Sequence, residues 1–215
     1  ALTFQSPLAS TDYEAIMDAM RDLLPRDGFV VRDATVPAYL WGNRLMPILA
    51  PRTSLNPTSA AIGPALPLAI GAAVGTGRKA AVIQGDGGFM LNIAELATAA
   101  QYRAPVVICV FNDGGYGVLR SIEGRTFEGR QFGVDLHTPD FATVAKGMGV
   151  EAERVSSAAA FRDAFARGIA HEGPYLIDIE ATCDRRLHVL LAIGEREREF
   201  QRLVRARLLH VVAGN

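Results

Sequence analysis

Cysteine is nearly absent from this 215-residue chain, which has only Cys109 and Cys183. Cys109 sits inside the apolar run Val106 to Phe111 and reads as a buried, reduced thiol. Cys183 lies far along the chain beside Asp184. So little cysteine argues against a disulfide framework and suits a cytoplasmic protein. Excess charge is missing too. The net charge is −1, with acids and bases mixed along the chain, which leaves no electrostatic footprint for nucleic acid. No apolar run reaches the roughly 18 residues of a membrane span. The start, Ala1-Leu2-Thr3-Phe4-Gln5, lacks the basic-then-apolar pattern of a secretion signal. His137, His171, His188 and His210 show neither metal-ligand nor triad spacing. There is no internal repeat and no low-complexity segment. What is present is a chain 49% hydrophobic and only 21% charged, the composition of a globular domain with a full core.

Hydrophobic periodicity orders that core into alternating elements. Asp12 to Leu24 is expected as an amphipathic helix, with Ile16, Met17, Met20 and Leu23 at three- and four-residue spacing. Phe29-Val30-Val31 reads as a short strand ending at Arg32-Asp33-Ala34-Thr35. Pro64 to Val74 is a small-residue helix suited to close packing, and Ala80 to Gln84 is the next strand. Asn92 is read as an N-cap, because Glu95 three residues on completes a capping box, for a helix ending near Tyr102. Pro105 introduces the strand Val106 to Phe111. Thr138-Pro139-Asp140 reads as N-cap, first-turn proline and first-turn acid of a helix ending near Gly147. A strand at Glu151 to Val155, a helix capped by Ser157 and running to about His171, and a buried strand at Tyr175 to Glu180 complete the pattern. The expectation is an α/β fold, a mostly parallel sheet with helices on both faces. Gly114 to Leu136 is read as one long loop.

Two of these strands end in glycine-rich, acid-bearing turns: Gly85-Asp86-Gly87-Gly88-Phe89 and Asn112-Asp113-Gly114-Gly115-Tyr116-Gly117. Ligands of open parallel sheets bind at the carboxyl ends of strands, so Asp86 and Asp113 should face one crevice. Two hard oxygen ligands beside glycine-rich backbone suit Mg²⁺ and phosphate oxygens. The run Gly71-Ala72-Ala73-Val74-Gly75-Thr76-Gly77 imitates a dinucleotide fingerprint, but it falls at the end of a helix and not just after a strand, which excludes that reading.

A Gly-Asp-Gly followed, one helix and one strand later, by Asn-Asn or Asn-Asp resembles the signature of thiamine-diphosphate-dependent enzymes. The stretches Ala60 to Pro67, Leu91 to Ala100 and Asp140-Phe141-Ala142 are similar to the acetolactate synthase, benzoylformate decarboxylase and pyruvate oxidase group. The resemblance runs from about Asp12 to about Ala181 and implies the thiamine diphosphate-binding fold over residues 1–183, with 184–215 a helical tail. It further implies that Asp86, Asp113 and the carbonyl of Gly115 ligate Mg²⁺. Gly85, Gly87, Gly88, Tyr116 and Gly117 would approach the cofactor through its diphosphate loop. Many relatives carry Asn at the position of Asp113 and Ser at that of Gly88, so here one negative charge is added and one hydroxyl contact is missing.

The resemblance also gives Thr35 a contact to the diphosphate, Ile62 the wedge between the two cofactor rings, and the Ala60 carbonyl the acceptor for the cofactor's amino group. By itself Thr35 is equally a solvated loop residue, and Ile62 a core residue. Val118, Leu119 and Ile122 match substrate-pocket positions, with burial in the loop–helix core as the other reading. The implied chemistry is decarboxylation or carboligation of a small 2-oxo acid. The glutamate that activates the cofactor in such enzymes belongs to a separate pyrimidine-binding domain, usually the partner subunit's, and no second glycine-rich α/β unit is seen to hold it. Glu95 is read as structural.

The chain is therefore expected to be one domain of a homo-oligomeric enzyme (dimer or tetramer), either a fragment or the smaller subunit of a two-chain enzyme such as those acting on sulfopyruvate or phosphonopyruvate. The alternative is a non-catalytic assembly or regulatory module that keeps the fold; retention of both Asp86 and Asp113 argues against it. In the tail, Glu195 to Glu199 precedes Phe200, Leu203, Val204 and Leu208 as an amphipathic helix, lying either on its own domain or on a partner.

Overall fold

The computed structural model describes residues 10–181. The tail from 184 onward, its amphipathic helix and Cys183 lie outside the described residues. Six strands form one sheet: β1 (Phe29–Arg32), β2 (Ser54–Leu55), β3 (Ala80–Gly85), β4 (Val106–Asn112), β5 (Glu151–Val155) and β6 (Tyr175–Glu180). Their order is β2-β1-β3-β4-β6-β5, and every pairing is parallel. Helices α1 (Ser10–Leu23), α2 (Asn43–Leu45), α3 (Ala65–Thr76), α4 (Asp86–Leu91), α5 (Glu95–Gln101), α6 (Gly117–Thr126), α7 (Phe141–Gly147) and α8 (Ala158–Ala170) connect and cover it. None of these helices is long and apolar enough to cross a membrane.

The central strands are apolar on both faces, as a sheet covered twice requires. On one face Phe29, Val31, Val82, Val106, Ile108 and Val110 meet Leu66, Ala69 and Ile70 of α3, Leu96 of α5 and Phe141 of α7. The small residues of α3 let that helix lie close to the sheet. On the other face α1 packs with α8, where Ile16, Met17, Met20, Phe161 and Phe165 are fully buried. Tyr13 stacks between Trp41, at 4.4 Å between centroids, and Phe111, at 5.8 Å. Cys109 is buried and reduced, and burial pushes its thiol pKa up.

Three expectations need correction. Asn92 does not start a helix. It ends α4, its N–H bonding back to Phe89 O at 3.1 Å, and Ala94 precedes α5. The region between β3 and β4 is thus two short helices, because the chain must turn at Asn92 to pass Gly63, whose Cβ, if it had one, would stand 2.8 Å from the Asn92 amide nitrogen. Thr138 does not cap α7 either: its hydroxyl donates to Asn112 Oδ1 at 3.1 Å. Asp140 is the N-cap, accepting from Thr143 N at 3.0 Å. Finally, Gly114 to Leu136 is not one loop, since it contains α6. Ser157 caps α8 as expected, accepting from Ala160 N. A π-helical turn at Ala38–Gly42 and the two-residue β2 are too short to leave a periodic signal.

Candidate functional site

The chain passes from β1 out to β2 at the sheet edge and returns to β3 on the other side of β1. Such a reversal opens a crevice at the carboxyl ends of the strands. A small, open crevice lies there. Asp33, Ala34 and Thr35 line it beyond β1, Gly85 at the end of β3 with Gly87 and Gly88 just past it, and Gly115 to Leu119 beyond β4, with Ile62 completing the wall.

Glycine is required at these strand ends by close approach. A Cβ on Gly87 would stand 2.6 Å from the Tyr116 ring, and one on Gly115 would stand 2.2 Å from Val134 O. The Tyr116 ring therefore lies directly on the backbone of Gly87. The segment 134–136 runs antiparallel to the β4 loop, with Tyr116 N donating to Val134 O and Leu136 N to Gly114 O, both at 2.8 Å.

Asp86 joins the two loops. Only 1% exposed, its carboxylate accepts from Gly87 N at 2.8 Å and from Gly115 N at 2.9 Å. Burial raises its carboxyl pKa to about 6, against the opposing pull of the Gly87, Gly115 and Gly114 N–H groups and of Arg120. A divalent cation alongside would hold such a carboxyl ionised. Arg120, on α6, clamps the second loop: it donates to Asp113 O at 3.2 Å, Gly114 O at 2.6 Å and Asp135 Oδ1 at 2.8 Å. It also stands 3.5 Å from Asp113 Oδ1, so the extra charge that Asp113 brings has a cation close by.

No group of three or more His, Cys, Asp or Glu side chains able to hold a metal occurs among the described residues. A cation here would have the two aspartates, and would need backbone carbonyl and ligand oxygens to fill its shell. That donor set is all hard oxygen, which suits Mg²⁺.

Ten of the residues singled out in the sequence line the crevice: Thr35, Ile62, Gly85, Gly87, Gly88, Gly115, Tyr116, Gly117, Val118 and Leu119. The others do not. Asp86 lies beneath the floor and Asp113 beside Arg120. Ile122 stands further along α6, 45% exposed. Ala60 is exposed in a 3₁₀ turn where it and Ser59 have positive φ. Leu119 is 37% exposed, so neither it nor Ile122 is core in the described structure. Sequence reasoning passed over Asp33, Ala34 and Arg120. Position gave a signal for Asp33, a lone acid just past the end of an apolar strand.

A family model described as "Thiamine pyrophosphate enzyme, C-terminal TPP binding domain" matches residues 37–179. A benzoylformate decarboxylase of Pseudomonas aeruginosa is 31% identical over 167 residues, covering 77% of this chain and 31% of that protein. A probable acetolactate synthase large subunit of Methanococcus aeolicus is 34% identical over 166 residues, covering 76% of this chain and 28% of its own length. Among solved structures, the thiamine diphosphate-dependent 4-hydroxybenzoylformate decarboxylase of Rhodococcus jostii RHA1 superposes with a TM-score of 0.76 at 29% identity, over 84% of this chain and 35% of that one. The chain spans about a third of the length of the relatives it matches.

Proposed function

Because the chain belongs to the thiamine pyrophosphate enzymes, through their C-terminal cofactor-binding domain, we propose that its crevice holds the diphosphate of that cofactor (thiamine diphosphate) through Mg²⁺, as part of a 2-oxo acid decarboxylase or carboligase. Asp86 and Asp113 are the carboxylate ligands of the metal, and the Gly115 carbonyl is a third. Gly85, Gly87, Gly88 and Gly117 keep the backbone free of side chains where phosphate oxygens approach, and Tyr116 packs over them. The Thr35 hydroxyl serves the diphosphate from the β1 side. Ile62 supports the bend between the cofactor rings, and the Ala60 carbonyl accepts from the cofactor's amino group. Val118 and Leu119 form the substrate side of the crevice, with Ile122 one turn further out. When bound, the cofactor supplies an electron sink for loss of CO₂ from a 2-oxo acid.

The observation that supports this reading best is the Asp86 link. A buried carboxylate bonded to one backbone N–H of each of the two glycine-rich loops ties them together at one place, which supports a shared site for a cation and a diphosphate. The activating glutamate is assigned to a pyrimidine-binding domain or subunit, in keeping with the share of its relatives that this chain spans.

Calorimetric titration with thiamine diphosphate, with and without Mg²⁺, tests the assignment. Asp86→Ala should abolish Mg²⁺-dependent binding and leave the circular dichroism spectrum intact. Asp113→Asn should bind, and Asp113→Ala should not. Unchanged affinity in Asp86→Ala sinks the metal assignment, and no binding by any form even with a pyrimidine-binding domain supplied would favour a module kept for assembly.

A further inference from the structure

The wall of the crevice that carries Ile62 hangs on one buried carboxylate. Asp33 is 4% exposed, and its two oxygens accept a dense set of N–H groups. Oδ1 takes Ala34 N at 2.6 Å and Gly63 N at 3.0 Å. Oδ2 takes Gly63 N at 3.0 Å, Ala65 N at 3.4 Å and Gln84 Nε2 at 2.7 Å. The same Gln84 nitrogen donates to Gly63 O at 3.0 Å. An amide group facing two acceptors must present its nitrogen to them, so the orientation of Gln84 is unambiguous.

None of these contacts continues a strand ladder or a helix. Asp33 lies past the end of β1, Gly63 lies ahead of α3, and Gln84 lies on β3. Gly63 has φ +106°, a left-handed turn that points its N–H at Asp33 and its carbonyl at Gln84. Both backbone polar groups of Gly63, the residue after Ile62, are thereby held by side chains, its N–H by Asp33 and its carbonyl by Gln84. The consequence reaches the floor of the crevice. A Cβ on Gly88 would stand 3.3 Å from Ile62 Cγ2 and 3.4 Å from Asp33 Oδ2, so the Ile62 methyl, the Asp33 carboxylate and the Gly88 backbone meet at one point.

We propose that Asp33, with Gln84, is the positioning pair that fixes Ile62 over the crevice, and that it governs cofactor affinity through Ile62 and not through contact with the cofactor. The cofactor half of this statement rests on the function proposed above; the anchoring half does not.

The test is hydrogen exchange by mass spectrometry on the full 215-residue chain, combined with a thiamine diphosphate titration in the presence of Mg²⁺ and an added pyrimidine-binding domain. In Asp33→Asn and in Gln84→Met, amides of the segment 60–66 should exchange roughly tenfold faster, because buried N–H groups lose their acceptor or their brace. Amides of β3 and β4 should keep their protection. Cofactor affinity should fall roughly tenfold in Asp33→Asn and in Ile62→Ala, and the double variant should lose no more than Ile62→Ala alone, the non-additivity expected of residues acting as one unit. Unchanged exchange in 60–66 would overturn the proposal, as would uniform acceleration across the sheet or additive losses of affinity. If Asp33→Asn does not fold, Gln84→Met, which leaves the carboxylate and removes only the brace, decides by the same readouts. If the wild-type chain binds no cofactor even with a pyrimidine-binding domain supplied, the functional reading falls while the exchange result still judges the anchor.

Discussion

Asp178, in the middle of β6, is fully buried, and only one of its carboxylate oxygens has a hydrogen-bond partner: Oδ1 accepts from Asn112 Nδ2 at 3.2 Å, whereas Oδ2 has none. Burial raises its pKa, with Asn112 and Arg154 pulling the other way. The native state therefore holds this proton more tightly than the unfolded chain does. Stability from this group is fully present below the unfolded carboxylate pKa of about 4 and declines as pH rises toward the higher native value. Asp178→Asn keeps the shape and removes the buried charge. It should raise the thermal midpoint at neutral pH, and the gain should vanish in acid, as scanning calorimetry at several pH values would show. An equal gain at all pH values would mean that packing, not ionisation, is responsible. Asp86 is nearly as buried but accepts two backbone N–H groups, so its buried charge is better compensated than that of Asp178.

Among the elements, α7 shows how the β5–β6 edge of the sheet is held. Its cap, Asp140, is exposed, and hydrogen bonds from Thr143 hold its carboxyl below the usual range. That contribution is present above the unfolded carboxylate pKa and is lost as pH falls through the lowered native value. Asp140→Ala should cost about 1 kcal/mol at neutral pH, read from urea denaturation, with the cost disappearing in acid. The Thr138-Pro139-Asp140 stretch announced a helix start, yet two hydroxyl or acidic side chains competed for the cap. Only the fold decides between them, because it gives Thr138 the end of β4. The same limit explains Asn92: a capping box is a local pattern, and the packing against Gly63 is not local. In α6, Gly117, Gly124 and three charged residues dilute the apolar period until it reads as loop. The five longer strands and the main helices were legible because each buries a face long enough to show its period. At the site, residues next to glycines in strand-end turns were legible from position. Arg120 was not, because its oxygen partners lie in loops whose path the sequence does not reveal.

For the whole molecule, the crevice offers one wall. Apolar side chains stand open near it: Leu91 is 58% exposed, Leu119 37% and Ile122 45%. Exposed apolar side chains beside a site suit a surface that a partner covers. The proposed partner is a pyrimidine-binding domain, within a homo-oligomer of the full enzyme. The isolated 215-residue chain should then bind thiamine diphosphate weakly at best and should not decarboxylate 2-oxo acids. Adding the pyrimidine-binding domain, in cis or in trans, should restore turnover with a Mg²⁺ requirement in a coupled CO₂-release assay. Robust turnover by the chain alone would place the activating group within these residues and refute the division of labour.

The position of β6 bears on how the chain assembles. Among the described residues β5 pairs only with β6, and β6 connects it to β4. During synthesis β5 emerges with no neighbour to join, while the edge of β4 stays open until Tyr175 to Glu180 arrive. Every backbone group along that β4 edge waits on β6, the last strand among the described residues. Pairings this distant along the chain are slow to close and leave sticky edges exposed meanwhile. A nascent chain halted before Tyr175 would carry two unfinished strand edges at once, one on β4 and one on β5, and would be a target for chaperones or self-association.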